Sequence, residues 1–173
     1  MSARLDYHNI NPPAFKPLRA LEAYLRGCGL EVPLLELMKI RASQINGCAY
    51  CLDMHTKDAR ARGETEQRIY ALNAWREAPF FTKRERAALD WTEAVTLVAE
   101  THVPDAVYAH VKEHFSDEEL LNLTMAVIAI NSWNRLAVSF RTIDVRRPGP
   151  SLTESGFSVF STASSGLIPL VSS

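Results

Sequence analysis

From Ser116 to about Ile143 the chain reads as one long helix, and an apolar helix face of that length has to be buried against other elements. Ser116-Asp117-Glu118-Glu119 is a capping-box pattern: the Ser116 hydroxyl can accept from the Glu119 N–H, and the Glu119 side chain can reach back to the cap. Leu120, Leu123, Thr124, Val127, Ile128, Asn131 and Arg135 then follow at helical spacing. The preceding sequence has the same character. Pro12, Pro13 and Pro17 mark a leading segment, and a first helix is predicted from about Pro17 to Arg26, ended by Gly27 and Gly29. Pro33 suits the first turn of a second helix, in which Leu34, Leu37, Met38 and Arg41 keep helical spacing while Leu35 and Ile40 widen the apolar face. Asn46-Gly47 is a break, and a third helix is predicted from near Cys48 to Arg62, stopped by Gly63. Thr65 can cap a short fourth helix through Asn73. A fifth is predicted over Lys83 to Glu100 and a sixth from Pro104 to near Phe115. No period-2 strand stands out. The predicted class is therefore all-α, a compact multi-helix bundle of about six to eight helices. It occupies residues 1–146 as a single domain. Residues 147–173 are rich in Ser, Thr, Pro and Gly and read as an irregular tail.

Charge narrows the function classes. The net charge of -1 and pI near 6.5 offer no electrostatic basis for a nucleic-acid partner. Even the run Lys83-Arg84-Glu85-Arg86 is interrupted by an acid. The N-terminus lacks the long apolar stretch of a secretory signal. The longest strongly apolar run, Ala126 to Ile130, is far below the roughly 20 residues that cross a membrane. The expectation is a soluble, cytoplasmic protein without a membrane partner. In that compartment three cysteines, Cys28, Cys48 and Cys51, are not a disulfide framework; a close pair points instead to redox or metal chemistry.

The chemistry centres on Cys48, Cys51 and His55. At i, i+3 and i+7 they share one helix face. A sulfur in the first turn lies near the positive end of the helix macrodipole, which favours thiolate over thiol. Two sulfurs so placed can close a disulfide with little rearrangement, as a cycling dithiol requires. His55 can exchange a proton with Cys51 but needs a group to fix its tautomer. Glu36, among the apolar residues Leu35, Leu37 and Met38, would need a partner if buried, so a Glu–His–Cys relay is the natural combination.

The segment from Glu36 to His55 resembles the alkylhydroperoxidase D and carboxymuconolactone decarboxylase superfamily. Its redox members carry a Glu, eleven residues, then Cys-x-x-Cys-x-x-x-His, and Glu36, Cys48, Cys51 and His55 match that spacing position by position. The resemblance implies an alkylhydroperoxidase D-like helical fold, assembly into trimers or hexamers, and a peroxidase-type activity on a small-molecule hydroperoxide. It implies that Cys51, as the more accessible thiol, attacks the peroxide, that Cys48 resolves the sulfenic acid to a disulfide, and that Glu36 and His55 relay protons. No bound cofactor is implied; an external thiol or dithiol reductant, or a reductase protein, restores the pair. Tyr50 stands where some members have a second His, so a relay through that residue has no counterpart here. Both cysteines are kept, which favours the peroxidase-like branch over the decarboxylase branch, whose reaction uses no redox dithiol.

Other readings stay open at this level. The pair could be a redox sensor or part of an oligomeric scaffold without turnover. Cys48, Cys51, His55 and Glu36 could instead bind zinc, although no second Cys/His pair stands out. A c-type haem is disfavoured because Leu52, not His, follows Cys51. Cys28, between two glycines, reads as a loop or packing residue, and His102, His110 and His114 as surface residues. Tyr50 is a candidate pocket wall. Asn131 and Arg135 share a face and are candidates to line the pocket or to bond across a subunit interface. Arg41 could pair with Glu36 or with another acid.

Overall fold

In the computed structural model of the protein, residues 2–142 are described, and the regular structure among them is helical throughout. The described residues form nine α-helices, more than the sequence leads one to expect: α1 (Tyr7–Ile10), α2 (Lys16–Leu25), α3 (Val32–Ile45), α4 (Ala49–Ala61), α5 (Glu66–Ala71), α6 (Lys83–Thr96), α7 (Val98–Thr101), α8 (Asp105–Lys112) and α9 (Asp117–Phe140). The expected boundary at residue 146 and the tail 147–173 lie outside the described residues. No helix among the described residues is long and apolar enough to cross a membrane.

The surplus helices are single turns made by tertiary contacts. In α1, Tyr7 is buried against Phe15 and Phe140, with ring centroids 5.3 and 5.4 Å away, which orders a segment that reads as polar. The helix expected over Lys83 to Glu100 is broken after Thr96. Thr101 Oγ1 donates to the Ala94 carbonyl at 2.7 Å, and His102 and Val103 both take φ of 50°, so the chain folds back before α8. Helix α8 stops at Lys112 rather than near Phe115. Helix α9 ends at Phe140 rather than Ile143, because Arg141 adopts a left-handed conformation and the Thr142 N–H returns to the Ala137 carbonyl.

Helix α3 is the axis of the domain, packed by α4, α6 and α9. Every residue from Leu34 to Ile40 is buried, so all sides of α3 meet other elements, and it divides the core in two. Leu34, Leu35, Met38 and Ala42 join Leu123, Val127 and Ile130 of α9 on one side. Leu37 and Ile40 join Leu72, Trp75, Phe81 and Leu89 on the other. Two charged residues are buried on this helix as well, Glu36 and Lys39, and both are paired: Glu36 with His55, and Lys39 with Glu22 at 3.6 Å. Arg41 pairs with Glu93 at 2.7 Å rather than with Glu36.

The junction from α3 to α4 sets the site. The Cys48 N–H bonds to the Ser43 carbonyl at 3.0 Å and the Gly47 N–H to the Gln44 carbonyl at 3.3 Å, the paired bonds of a Schellman ending. That ending requires a left-handed residue, and Gly47 supplies it at φ 63°. A Cβ on Gly47 would meet nothing within 4 Å, so replacing it strains the backbone alone. Gly47→Ala is expected to lower stability by about 1–2 kcal/mol, read as a lower denaturation midpoint at unchanged m-value. An unchanged midpoint would contradict this account of the junction.

Candidate active site

The residue after Gly47 has two structural roles. Cys48 ends the α3 motif and is also the N-cap of α4, with extended backbone at φ −89° and ψ 93°. It is not inside the first turn, as the sequence spacing leads one to expect. Its Sγ accepts from the Cys51 N–H at 3.4 Å, the place usually taken by a Ser, Thr or Asp oxygen. Cys51 sits one turn into the helix, and all three cysteines of the chain are free thiols. Cys28, partly buried, packs at the core margin, where Asn122 Nδ2 holds its carbonyl at 3.1 Å.

The two thiols are hydrogen-bonded to each other, and their acidities diverge. The Cys51 thiol donating to Cys48 is the main reason the Cys48 pKa drops to about 7 despite burial; the N–H groups of Cys51 and Tyr50 and the Asn134 side chain help. Cys51 moves the opposite way. Its proton is held by Cys48, burial disfavours its charge, and the neighbouring thiolate repels a second one. The pair therefore carries one negative charge readily and a second only with difficulty.

Access divides them differently. Both residues are 1% exposed, so neither is the open thiol that the resemblance implies. Cys51, but not Cys48, lines a cavity of about 420 Å³, together with Tyr7, Tyr50, Met54, His55 and Trp133. His55 is buried, and its Nδ1 lies 2.9 Å from Glu36 Oε2. With a proton on Nδ1 donated to that carboxylate, Nε2 is left for exchange in the cavity. A second, adjoining cavity, of about 410 Å³, is lined by Glu36, His55 and Asp58. Among the described residues, the potential metal ligands gathered within 4.8 Å of one another are Glu36, His55 and Asp58. The sulfurs are not in that group, so the ligand set of the zinc reading is not brought together.

Behind the thiols lies a polar network that spacing did not reveal. Asn134, 1% exposed, accepts from Asn46 Nδ2 at 2.9 Å, donates to Ser43 Oγ at 3.0 Å, and lowers the pKa of both thiols by hydrogen bonding. Asn131 accepts from Asn46 Nδ2 at 3.0 Å and donates to Thr96 Oγ1 at 3.1 Å, and Arg135 bonds back to Asn131. Of the three candidate pocket residues, Tyr50 lines the cavity; Asn131 and Arg135 do not, and belong to this network. Asn134 carries one sequence signal: it is three residues beyond Asn131 on the same long helix. Tyr7 and His8 of the cavity wall have none, because the leading segment shows no helical pattern.

The chain as a whole is similar to known proteins. The profile of the carboxymuconolactone decarboxylase family matches residues 12–94. The uncharacterized protein YdfG of Bacillus subtilis is 45% identical over 139 residues, which make up 80% of this chain and 95% of that protein. A solved structure from Agrobacterium tumefaciens, a protein of unknown function with a suggested antioxidant-defence role of the AhpD kind, is 48% identical. It superposes with a TM-score of 0.80 over 82% of this chain and 97% of its own. An uncharacterized peroxidase-related protein from Silicibacter shares the fold at 24% identity and TM-score 0.67, covering 77% of this chain and 71% of that one.

Removing the Asn134 amide should raise the first ionisation of the dithiol above its value of about 7. It should also destabilise the fold by about 1–3 kcal/mol through stranded buried partners. Ultraviolet thiolate absorbance against pH, on wild type and Asn134→Ala, checks this; coincident titrations would remove Asn134 from the thiolate site.

Proposed function

We propose, from the premise that this chain belongs to the carboxymuconolactone decarboxylase family, that it is a thiol-dependent peroxidase reducing hydroperoxides through Cys48 and Cys51. One observation carries the reading. A dithiol whose first ionisation falls at about 7 has one member, Cys51, opening into a cavity beside a His55 that is held by Glu36. The antioxidant-defence role suggested for the Agrobacterium relative supports it.

The proton between the sulfurs is the working part. In the resting pair the charge sits on Cys48 and the proton on Cys51. Moving that proton to Cys48 leaves a thiolate on Cys51, where the cavity admits a peroxide. The Cys51 sulfur attacks the terminal peroxide oxygen, the O–O bond breaks, and the leaving alkoxide takes from His55 the proton that the dithiol gave up on its first ionisation, departing as the alcohol. Glu36 stabilises the imidazolium that supplies it. The resulting sulfenic acid is attacked by Cys48, which forms the disulfide and releases water. The sum is one hydroperoxide and two thiols giving one alcohol, one water and one disulfide. An external dithiol then returns two electrons and two protons. In this reading no cofactor is bound.

A second reading has its own support. Both sulfurs are 1% exposed, so a protein reductant would have to reach the disulfide through the cavity. A sensor that is oxidised once and reduced slowly has the same site. Assembly into a trimer or hexamer is part of the main reading. Leu121, Ile128 and Val138 leave apolar surface exposed along α9 for such contacts.

Stopped-flow oxidation of reduced protein by an organic hydroperoxide tests the proposal, with Cys51→Ser expected to lose rapid peroxide consumption. Consumption by that variant as fast as wild type would sink it, and single turnover without cycling under a dithiol would favour the sensor. Because the reactive form is deprotonated, the oxidation rate should rise with pH through about 7 and level off above it. A rate flat between mildly acidic and mildly alkaline pH would contradict the thiolate assignment.

A further inference from the structure

Three side chains of helix α2 line the thiol cavity: Arg19, Glu22 and Arg26, the last its C-cap. At spacings of three and four they share one face of the helix. Their charges are not balanced. Glu22 is engaged by Lys39 at 3.6 Å, whereas Arg19 and Arg26 have no side-chain partner among the described residues. Four arginines elsewhere in the domain are, by contrast, tied to acids. Arg41 is tied to Glu93, Arg68 to Glu64 and Glu85, Arg76 to Asp90 and Glu93, and Arg84 to Glu31 and Glu119. Two uncommitted guanidinium groups therefore stand at a cavity that also holds Cys51 and His55, and Arg26 lines the adjoining cavity as well.

The remaining wall is of another kind. Tyr7, Tyr50, Met54 and Trp133 present aromatic and apolar surface. A volume of about 420 Å³ is in the range that holds a small organic molecule rather than water alone. A ligand matched to this lining has an apolar body and an anionic end, and a guanidinium fork is suited to a carboxylate.

We propose that Arg19 and Arg26 form a carboxylate-binding subsite at the mouth of the thiol cavity, and that the substrate is an amphipathic organic hydroperoxide bearing a carboxylate. The peroxide half of this statement rests on the peroxidase reading; the carboxylate half rests on the two arginines. The carboxylate held at α2 lets the apolar body lie along Tyr7 and Trp133 and directs the hydroperoxide group toward Cys51. Hydrogen peroxide and small neutral peroxides would lack that anchor.

The test compares a fatty-acid hydroperoxide with its methyl ester, with a neutral dithiol as reductant throughout. For the acid, the double variant Arg19→Ala/Arg26→Ala is expected to raise KM by about tenfold or more, the loss of at least one charge-assisted hydrogen bond. Its kcat should stay near wild type, and its kinetics with the ester should not change. Arg19→Lys/Arg26→Lys should recover part of the loss. The wild-type preference for acid over ester should shrink as salt is raised. Equal losses on acid and ester, or no loss on either, would overturn the subsite. A separate measurement distinguishes the two halves: binding of the unreactive parent fatty acid to Cys51→Ser protein, followed by tryptophan fluorescence. Arginine-dependent acid binding without any peroxide turnover in wild type would retain the subsite and discard the peroxide. Acid binding unaffected by the double alanine variant would discard the subsite whatever the turnover.

Discussion

The junction between α3 and α4 is the constraint on which the site depends. Two helices meet there with three residues, Asn46, Gly47 and Cys48, between them, and the left-handed Gly47 makes so short a turn possible. Because the turn is short, Cys48 falls at the helix start and its sulfur takes the capping position. The acidity of the pair follows from that placement. Backbone N–H groups of Tyr50 and Cys51 point at the Cys48 sulfur, and the Cys51 thiol adds a further donor. A longer loop would leave the same two cysteines close in sequence but without the donors that make one of them a thiolate.

Helix α3 supplies the other half. Its burial on all sides forces every charged residue on it to find a partner, and for Glu36 that partner is His55 from α4. The relay is thus a consequence of packing as much as of chemistry: a carboxylate nearly removed from water holds the imidazole that faces the cavity. Asn46, Asn131 and Asn134 extend the same logic on the far side of the thiols. There α9 meets the α3 ending through side-chain amides, in a core that is otherwise apolar. Access and acidity are assigned to different sulfurs, Cys51 to the cavity and Cys48 to the charge, so the two thiols act as one unit.

Much of the helical layout was legible because it rests on local signals. The Ser116 capping box, the glycine stops after α2 and α4, and the spacing of Leu34, Leu37 and Met38 are properties of neighbouring residues. What was misjudged has distant causes. Helix α1 exists because Tyr7 packs on Phe15 and Phe140. The predicted long helix beginning at Lys83 breaks because Thr101 bonds back to Ala94 and two left-handed residues follow. Asn131 and Arg135 share a helix face as expected, but that face meets Asn46 and Thr96 rather than the cavity.

By itself, the sequence determined that the chain is helical, that Cys48, Cys51 and His55 share a short segment, and that Glu36 precedes them at the spacing of a redox family. Each is a matter of residue type and separation along the chain. Only the tertiary structure decided that the Glu36 carboxylate meets His55, that Asn134 reaches both thiols, and that Cys51 alone opens into the cavity. Only it brought Arg19 and Arg26 to the wall of that cavity. These depend on how α2, α3, α4 and α9 pack, and helix packing is set by the summed burial of many apolar side chains, which no short motif records.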